Sequence, residues 1–300
     1  MVTVGVPASL PISAIDGVTI LRYRELAELH GMRGLGLLVP PYMGPAEELS
    51  IMATLPDLDV LQLLTAGFEH ALADAPAHVT VCNASGVHDA STAELALGLI
   101  LASQRGIDHF ARAMPDGRWE HQRFVSLADR SVLVSGAGGL GQAIDRRLLS
   151  CEASVTMMAR SARPGVRAIS ELDTVLAQMD IVVLAVPLTP QTHHLVDAGF
   201  LQHMVRGALI VNMARGPVVD TEALTEAVRH GAVRAALDVT DPEPLPADHP
   251  LWRLPGVLIS PHVGGNSSAF VPRAIALVED QIRRWIDGEP LRNVVRSAAH

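Results

Sequence analysis

The stretch SVLVSGAGGLG, residues 131–141, decides how the rest of the chain is interpreted. Its first five residues are apolar and rich in β-branched side chains, which predicts a buried strand. The strand runs directly into GAGGLG, residues 136–141, and a segment suited to a helix follows at residues 142–149. In such a turn the first glycine permits the tight bend, the second lets backbone approach a pyrophosphate, and the third permits close packing of helix on strand. The glycines alone would also fit an ordinary turn, but the order strand, turn, helix favours dinucleotide binding.

The composition is that of a globular chain with room for two domains. The chain has 300 residues, 49% hydrophobic and 18% charged, with a formal net charge of −9. This acidic balance argues against a nucleic-acid partner, because such proteins present a basic face. The two cysteines, Cys82 and Cys151, predict a reduced, cytoplasmic protein without a disulfide framework. No apolar run approaches the ~20 residues that cross a bilayer, so we expect no membrane association.

The chain contains no lysine, so its 23 Lys and Arg residues are all arginine. A chain without lysine cannot use a P-loop lysine, a Schiff base or a Tyr–Lys pair. Its chemistry therefore has to depend on His, Arg, Asp and Glu, and we assign no metal site.

Short apolar runs alternate with turns and helix-compatible segments along both halves of the chain. In the first half the predicted strands are residues 2–6, 18–22, 35–39, 60–64 and 79–81. After residues 131–135, further strands are predicted at residues 154–159, 181–186, 209–212, 235–239 and 257–260. This alternation predicts an α/β fold of two Rossmann-like or flavodoxin-like domains with doubly wound parallel sheets.

Two long helices suggest how the domains divide. Residues 91–105 form a very apolar helix, with Ser91 and Glu94 at capping-box spacing, which suits a buried helix crossing between the domains. The last helix, at about residues 269–287, is expected to pack back on the first domain and make it discontinuous. We therefore expect a substrate domain of residues 1–91 and 269–300, and a dinucleotide-binding domain of residues 92–268.

Three polar residues follow predicted strands of the second sheet: Arg215, Glu243 and His262. Because the carboxyl ends of parallel strands meet at one edge, we expect them to converge where such folds bind ligands. Each alone also fits an ordinary role, as a turn residue, a solvated loop acid or a histidine near the core. The loops at residues 40–45 and 65–67 follow strands of the first domain and are equally ambiguous.

Together with the glycine turn, these residues lie in segments that resemble the D-isomer-specific 2-hydroxyacid dehydrogenases. The matching segments are GAGGLG (136–141), VPLTPQTHHLV (186–196), IVNMARGPVVD (210–220), ALDVTDPEPLPADHPLW (236–252) and SPHVGG (260–265). The resemblance covers residues 60 to about 285, is weak over the first fifty residues, and is nearest to the NADPH-dependent glyoxylate/hydroxypyruvate reductases. Thr240 departs from the aromatic residue of many members, so the pocket beside it is not specified.

The resemblance implies hydride transfer from NAD(P)H to a small 2-keto acid, giving a D-2-hydroxy acid. The family's catalytic residues fall on Arg215, Glu243 and His262. His262 suits proton donation if Glu243 holds one ring nitrogen, and Arg215 offers a fork of donors to an anionic substrate. For the substrate, the resemblance implies backbone contacts at Ala66 and Gly67 besides Arg215 and His262. An apolar wall is suggested by Tyr42, Met43 and Phe68.

The cofactor site combines the glycine turn with residues that the resemblance places beside the nicotinamide. The turn contributes Gly136, Gly138, Gly139, Leu140 and Gly141, and the nicotinamide set is Val186, Pro187, Met213, Ala214, Asp238 and Gly264. NAD-binding turns normally carry an acidic residue about 20 positions after the glycines, but residues 153–170 contain neither Asp nor Glu. Instead Arg160, Ser161 and Arg163 follow the strand, which predicts a preference for NADP(H), with NAD(H) possible. Alternatively, the two arginines are solvated loop charges.

Other functions are compatible with the same fold. One is a non-catalytic regulator that senses NAD(P), which the full Arg, Glu and His set argues against. Another is formate or phosphite oxidation, as in neighbouring subfamilies; Glu243 weakens the formate alternative, because those enzymes resemble a Gln variant of that position. The resemblance also implies a homodimer built around the cofactor domains.

Overall fold

The computed structural model describes residues 2–298, and the chain divides into two compact units. The first unit consists of Met1–His88 and Ser268–His300, and the second of Asp89–Ser267. Among the described residues, no helix combines the length and the apolar character needed to cross a membrane.

The strands and α-helices of the described residues are numbered along the chain. The strands β1 to β13 are Val2–Pro7, Val18–Tyr23, Leu35–Leu38, Val60–Gln62, Thr80–Cys82, Ser131–Ser135, Ser154–Ala159, Val166–Ala168, Ile181–Leu184, Ala208–Asn212, Val233–Leu237, Val257–Ile259 and Val294–Arg296. The helices α1 to α8 are Glu69–Asp74, Asp89–Arg105, Ile107–Ala113, Gly139–Leu149, Leu172–Leu176, Ala198–His203, Thr221–Arg229 and Phe270–Ile286.

The first unit is built on a six-stranded sheet in the order β13-β5-β4-β3-β1-β2. All pairs are parallel except β13 with β5. One face packs against α8, whose Ala274, Val278 and Ile282 join a buried cluster with Val4 and Leu37. The helix predicted at residues 269–287 is therefore present and belongs to the first unit.

A buried pair of glutamines fixes α8 to this sheet. Gln281 of α8 donates from Nε2 to Oε1 of Gln62 on β4 at 2.7 Å, and both side chains are fully buried. Gln281 also accepts from the backbone N–H of Arg292 at 2.9 Å, which positions the segment leading to β13. Val294–Arg296, which no predicted strand covers, thus supplies the antiparallel edge strand.

The second unit contains a seven-stranded sheet in the order β12-β11-β10-β9-β6-β7-β8, and all its strands are parallel. The predicted architecture of parallel-sheet α/β domains is therefore confirmed. Strand β11 begins two residues earlier than expected. Strand β8 was not predicted, because its partly exposed residues include an arginine and do not form an apolar run.

Helix α2 corrects one detail of the sequence analysis. It begins at Asp89, so Ser91 lies inside its first turn and does not cap it. The Ser91 hydroxyl instead donates to the carbonyl oxygen of Gly264 at 2.6 Å and lies 2.7 Å from the Ser267 hydroxyl. The expected capping box was wrong, because a tertiary contact uses the serine. The helix lies wholly in the second unit, where its small residues Ala93 and Ala96 are fully buried.

Candidate active site and cofactor site

The glycine turn has the geometry that close backbone approach demands. Gly136 has a φ of +114°, and a Cβ there would lie 2.2 Å from the carbonyl oxygen of Ala185. A Cβ on Gly141 would lie 1.8 Å from the carbonyl oxygen of Gly136, so no larger residue fits between helix α4 and the turn. Gly138 faces open space, because a Cβ added there would have no neighbouring atom within 4 Å. The first and third glycines are thus required by packing, and the second leaves room for a ligand.

The turn lies at the point where the strand order of the second sheet reverses. Strand β6 is flanked by β7, the next strand in sequence, and by β9. Gly136 donates to Met158 of β7 at 2.8 Å, and Ala185 after β9 donates to Ser135 at 2.7 Å. Ligands of open parallel sheets bind in this crevice, and α4 begins here with its first N–H groups and positive dipole end. These features fit a dinucleotide pyrophosphate.

One neighbour of the turn was missed by the sequence analysis. A Cβ on Gly139 would lie 2.0 Å from Oδ2 of Asp89, so the Asp89 carboxylate lies against the first turn of α4. Asp89 opens helix α2, fifty residues earlier in the chain, and nothing local marks it as part of this site.

Arg160, Ser161 and Arg163 are exposed side chains after the carboxyl end of β7. The Arg163 guanidinium donates from Nη2 to the carbonyl oxygen of Ala137 at 2.8 Å, which holds it beside the glycine turn. Within residues 2–298, neither Arg160 nor Arg163 forms an ion pair with an acidic side chain. Both positive charges are therefore available to an anionic ligand.

His262 and Glu243 form a close pair at the carboxyl edge of the same sheet. Nδ1 of His262 lies 2.6 Å from Oε1 of Glu243, and both side chains are partly exposed. The hydrogen bond assigns the proton on Nδ1 and leaves Nε2 as the ring nitrogen available for chemistry. The carboxylate also fixes the orientation of the imidazole ring.

Asp238 holds the loop that carries His262. The Asp238 side chain is 3% exposed, and its Oδ1 accepts hydrogen bonds from the Ser260 hydroxyl at 2.7 Å and the Val263 N–H at 3.0 Å. Its Oδ2 accepts from the N–H of Gly264 at 2.9 Å, and the Asp238 carbonyl oxygen accepts from the N–H of His262 at 2.8 Å. These contacts explain how His262 is kept at a φ of +52°, a conformation that is uncommon for residues other than glycine.

Arg215 follows β10 in a turn that a buried amide organises. Asn212, 1% exposed, donates from Nδ2 to the Arg215 carbonyl oxygen at 3.0 Å and accepts from the Ala214 N–H at 3.0 Å. The guanidinium itself donates to the Ala214 carbonyl oxygen at 2.8 Å and retains its other donors. A Cβ on Gly216 would lie 1.9 Å from the Thr240 carbonyl oxygen, so this turn packs tightly on the loop after β11. Asn212, a polar residue that ends the buried strand β10, was not predicted as part of the site.

The three predicted catalytic residues therefore follow three adjacent strands, β10, β11 and β12. Glu243 and His262 are in direct contact and line a cavity of about 310 Å³ in the second unit. Apolar side chains complete its lining: Leu245, Trp252 and Ile259. Thr240, the position that departs from the family pattern, also lines it.

In the first unit, the loop after β4 points its carbonyl groups inward. The acceptor and donor pairs are Leu64 O with His88 Nε2 (2.8 Å), Thr65 O with Ala84 N (2.8 Å), Ala66 O with Asn83 Nδ2 (2.7 Å) and Gly67 O with Thr65 Oγ1 (2.7 Å). Because C=O and N–H point to opposite sides of a planar peptide, the N–H groups of residues 65–67 face outward. Successive outward N–H groups form a site for an anion. Asn83 and His88, which build this loop, were not identified from the sequence.

The other predicted substrate residues have unequal environments. Tyr42 stacks with His88 and Phe270, with ring centroids 5.4 and 4.2 Å away, and forms part of an aromatic cluster. Met43 is 60% exposed and has a φ of +55°. Phe68 packs against the buried cluster on the other side of the sheet.

Comparison with known proteins assigns the family. The model of the D-isomer specific 2-hydroxyacid dehydrogenase NAD binding domain matches residues 97–264. Glyoxylate reductase of Thermofilum pendens is 34% identical over 256 residues, which cover 80% of this chain and 75% of that protein. D-3-phosphoglycerate dehydrogenase of Methanocaldococcus jannaschii is 34% identical over 228 residues, covering 72% of this chain but 43% of that protein. This chain thus matches less than half the length of that relative.

A solved structure extends the likeness to both units. The crystal structure of a D-isomer specific 2-hydroxyacid dehydrogenase from Xanthobacter autotrophicus Py2, in complex with NADPH and MES, is 30% identical, with a TM-score of 0.76. The match covers 98% of this chain and 97% of that one. The chain described here belongs to the D-isomer specific 2-hydroxyacid dehydrogenase family, and its residues 97–264 match that family's NAD binding domain.

Proposed function

We propose that this protein is an NAD(P)H-dependent reductase of small 2-keto acids, similar to glyoxylate/hydroxypyruvate reductases, and that its product is the D-2-hydroxy acid. The observation that carries the proposal is the His262–Glu243 pair, with Nδ1 and Oε1 2.6 Å apart, beside the strand that leads to Arg215. A protein that only sensed its cofactor would have no need for a proton donor held by a carboxylate.

The residues divide the reaction between them. When bound, the nicotinamide cofactor supplies the hydride that adds to the keto carbon. Nε2 of His262 donates the proton to the keto oxygen, and the Glu243 carboxylate stabilises the ring while it is protonated. Arg215 cannot lose its proton, so it binds the substrate's anionic and keto oxygens without competing as an acid. The N–H groups at Ala66 and Gly67 bind the carboxylate in the first unit.

We propose NADP(H) as the preferred cofactor. Two exposed arginines follow β7 where NAD-specific turns carry an acid, and Arg163 is held at 2.8 Å from the Ala137 carbonyl oxygen of the glycine turn. A 2′-phosphate binds well to a guanidinium fork. A carboxylate after β7 would repel that phosphate, and residues 153–170 contain no Asp or Glu. The NADPH complex of the Xanthobacter autotrophicus relative is consistent with this choice.

The proposed activity is tested by mixing the purified protein with NADPH and a panel of glyoxylate, hydroxypyruvate, pyruvate and phenylpyruvate, and following the nicotinamide absorbance. We expect turnover and a D product on chiral chromatography. His262→Ala should lower kcat ~10²–10⁴-fold, the usual contribution of a proton-transfer group, while NADPH still binds. NADPH binding without turnover of any keto acid would identify a sensor and refute the proposal.

We also propose a homodimer of the cofactor units and a cytoplasmic location. Exposed apolar side chains support the dimer: in the second unit Trp119 is 96%, Met114 74% and Ile107 53% exposed. Light scattering of the wild type and of Trp119→Glu tests it, since the variant should be monomeric. Cys82 and Cys151 are both free thiols, which suits a reducing compartment.

A further inference from the structure

The first unit contains an apolar cavity beside the loop that presents outward N–H groups. Its volume is about 190 Å³, and it shares Leu64 and Thr65 with that loop. The remaining lining comes from the proline-rich loop after β3 and from neighbouring helical turns: Leu26, Pro40, Pro41, Met43, Gly44, Pro45, Ala46, Leu49, Leu63 and His70. A group anchored by its carboxylate at residues 65–67 would therefore have this cavity next to it.

The lining has a definite chemical character. Among these described residues, His70 is the single ionisable side chain, and it is exposed on the first turn of α1. Leu49, Leu63 and Leu64 are buried and supply aliphatic surface. A phosphate or a second carboxylate in this space would lie against aliphatic and proline surface without gaining a fixed cation, which is less favourable than its hydration in water.

The cavity is also bordered by three prolines and is large enough for a bulky substituent. Pro40, Pro41 and Pro45 have restricted backbone angles, so the loop needs little ordering when a ligand binds. A cavity of ~150 Å³ lined by aliphatic side chains holds benzene, so about 190 Å³ accommodates a phenyl or branched aliphatic group.

We propose that this cavity receives the side chain of the substrate, and that the protein reduces 2-keto acids with uncharged, apolar side chains in preference to glyoxylate. This inference rests on the proposed 2-keto acid reductase activity and specifies its substrate class. It also separates this chain from its relatives named D-3-phosphoglycerate dehydrogenase, because a phosphorylated side chain has no partner in such a cavity.

The test compares kcat/KM for phenylpyruvate, 4-methyl-2-oxopentanoate, glyoxylate and 3-phosphohydroxypyruvate with NADPH. One methylene in an apolar pocket is worth ~10–200-fold, so the two apolar acids should exceed glyoxylate by at least ~10-fold. The phosphorylated acid should be the poorest substrate. Turnover of glyoxylate without this apolar preference, or preference for the phosphorylated acid, would overturn the inference and leave the reductase proposal standing. Absence of turnover with every keto acid would refute both.

A pair of adjacent variants separates the cavity from the surrounding surface. Ala46→Phe fills the cavity, so the ratio of kcat/KM for phenylpyruvate to that for glyoxylate should fall ~10-fold or more. Glu47→Phe introduces the same side chain at the next position, which does not line the cavity, and its ratio should equal that of the wild type. If the two variants give the same ratio, the cavity does not receive the side chain. Thermal denaturation shows whether both variants fold.

Discussion

The charge of Arg163 is expected to set much of the preference for NADPH, and removing it gives a sharp test. In Arg163→Ala the side chain that is held 2.8 Å from the Ala137 carbonyl oxygen disappears, and no acidic partner among the described residues is left uncompensated. A charge-assisted hydrogen bond is worth ~1.5–3 kcal/mol, and because Arg163 is exposed the lower end applies. Since ~1.4 kcal/mol is tenfold, kcat/KM for NADPH should fall about tenfold.

The assay measures kcat/KM for NADPH and NADH with one keto acid. Arg163→Ala should leave the value for NADH within about twofold of the wild type, because NADH has no 2′-phosphate. Arg167→Ala is the matched control: Arg167 is also an exposed arginine, lies in the next strand β8, and already pairs with Glu171 at 3.2 Å. In Arg167→Ala, the ratio of kcat/KM for NADPH to that for NADH should equal the wild-type ratio. A wild-type protein that prefers NADH, or an Arg163→Ala variant that loses activity equally with both cofactors, would contradict the proposed contact between Arg163 and the 2′-phosphate.

Three further substitutions test the catalytic and substrate sites. Glu243→Gln keeps an oxygen that can accept a hydrogen bond from Nδ1 of His262 but removes the carboxylate charge, so kcat for keto acid reduction should fall while NADPH still binds; an unchanged kcat would refute the pairing. Arg215→Lys should raise KM for keto acids and lower kcat, at ~1.5–3 kcal/mol for each charge-assisted bond lost, with NADPH affinity retained; near-normal kinetics would make Arg215 a turn residue. Asn83→Ala removes the 2.7 Å bond to the Ala66 carbonyl oxygen, so KM for the keto acid should rise several-fold more than kcat falls; equal changes would indicate general loss of structure.

Much of the fold could be predicted from the sequence, because strands and turns of this type depend on patterns in consecutive residues. The run at residues 131–135 and the run at 154–159 match β6 and β7 residue for residue, since buried parallel strands are continuous apolar segments. The steric roles predicted for the first and third glycines agree with the close packing around Gly136 and Gly141, because each is a requirement on a single residue. Strands β8 and β13 were not predicted, because each contains an arginine and is partly exposed, so neither is a continuous apolar segment.

Local sequence predicted the two α/β sheets, the glycine turn and the positions of Arg215, Glu243 and His262 after strands, because chain order and side-chain pattern are local properties. Which side chains come into contact depends on the tertiary structure. Nδ1 of His262 contacts Glu243, which is nineteen residues away in the chain. The Asp238 carboxylate accepts hydrogen bonds from the loop that carries His262. Asn83 orders the loop at Ala66 from seventeen residues away. These contacts and cavities depend on how strands and loops distant in the chain pack together. Local sequence patterns do not predict that packing.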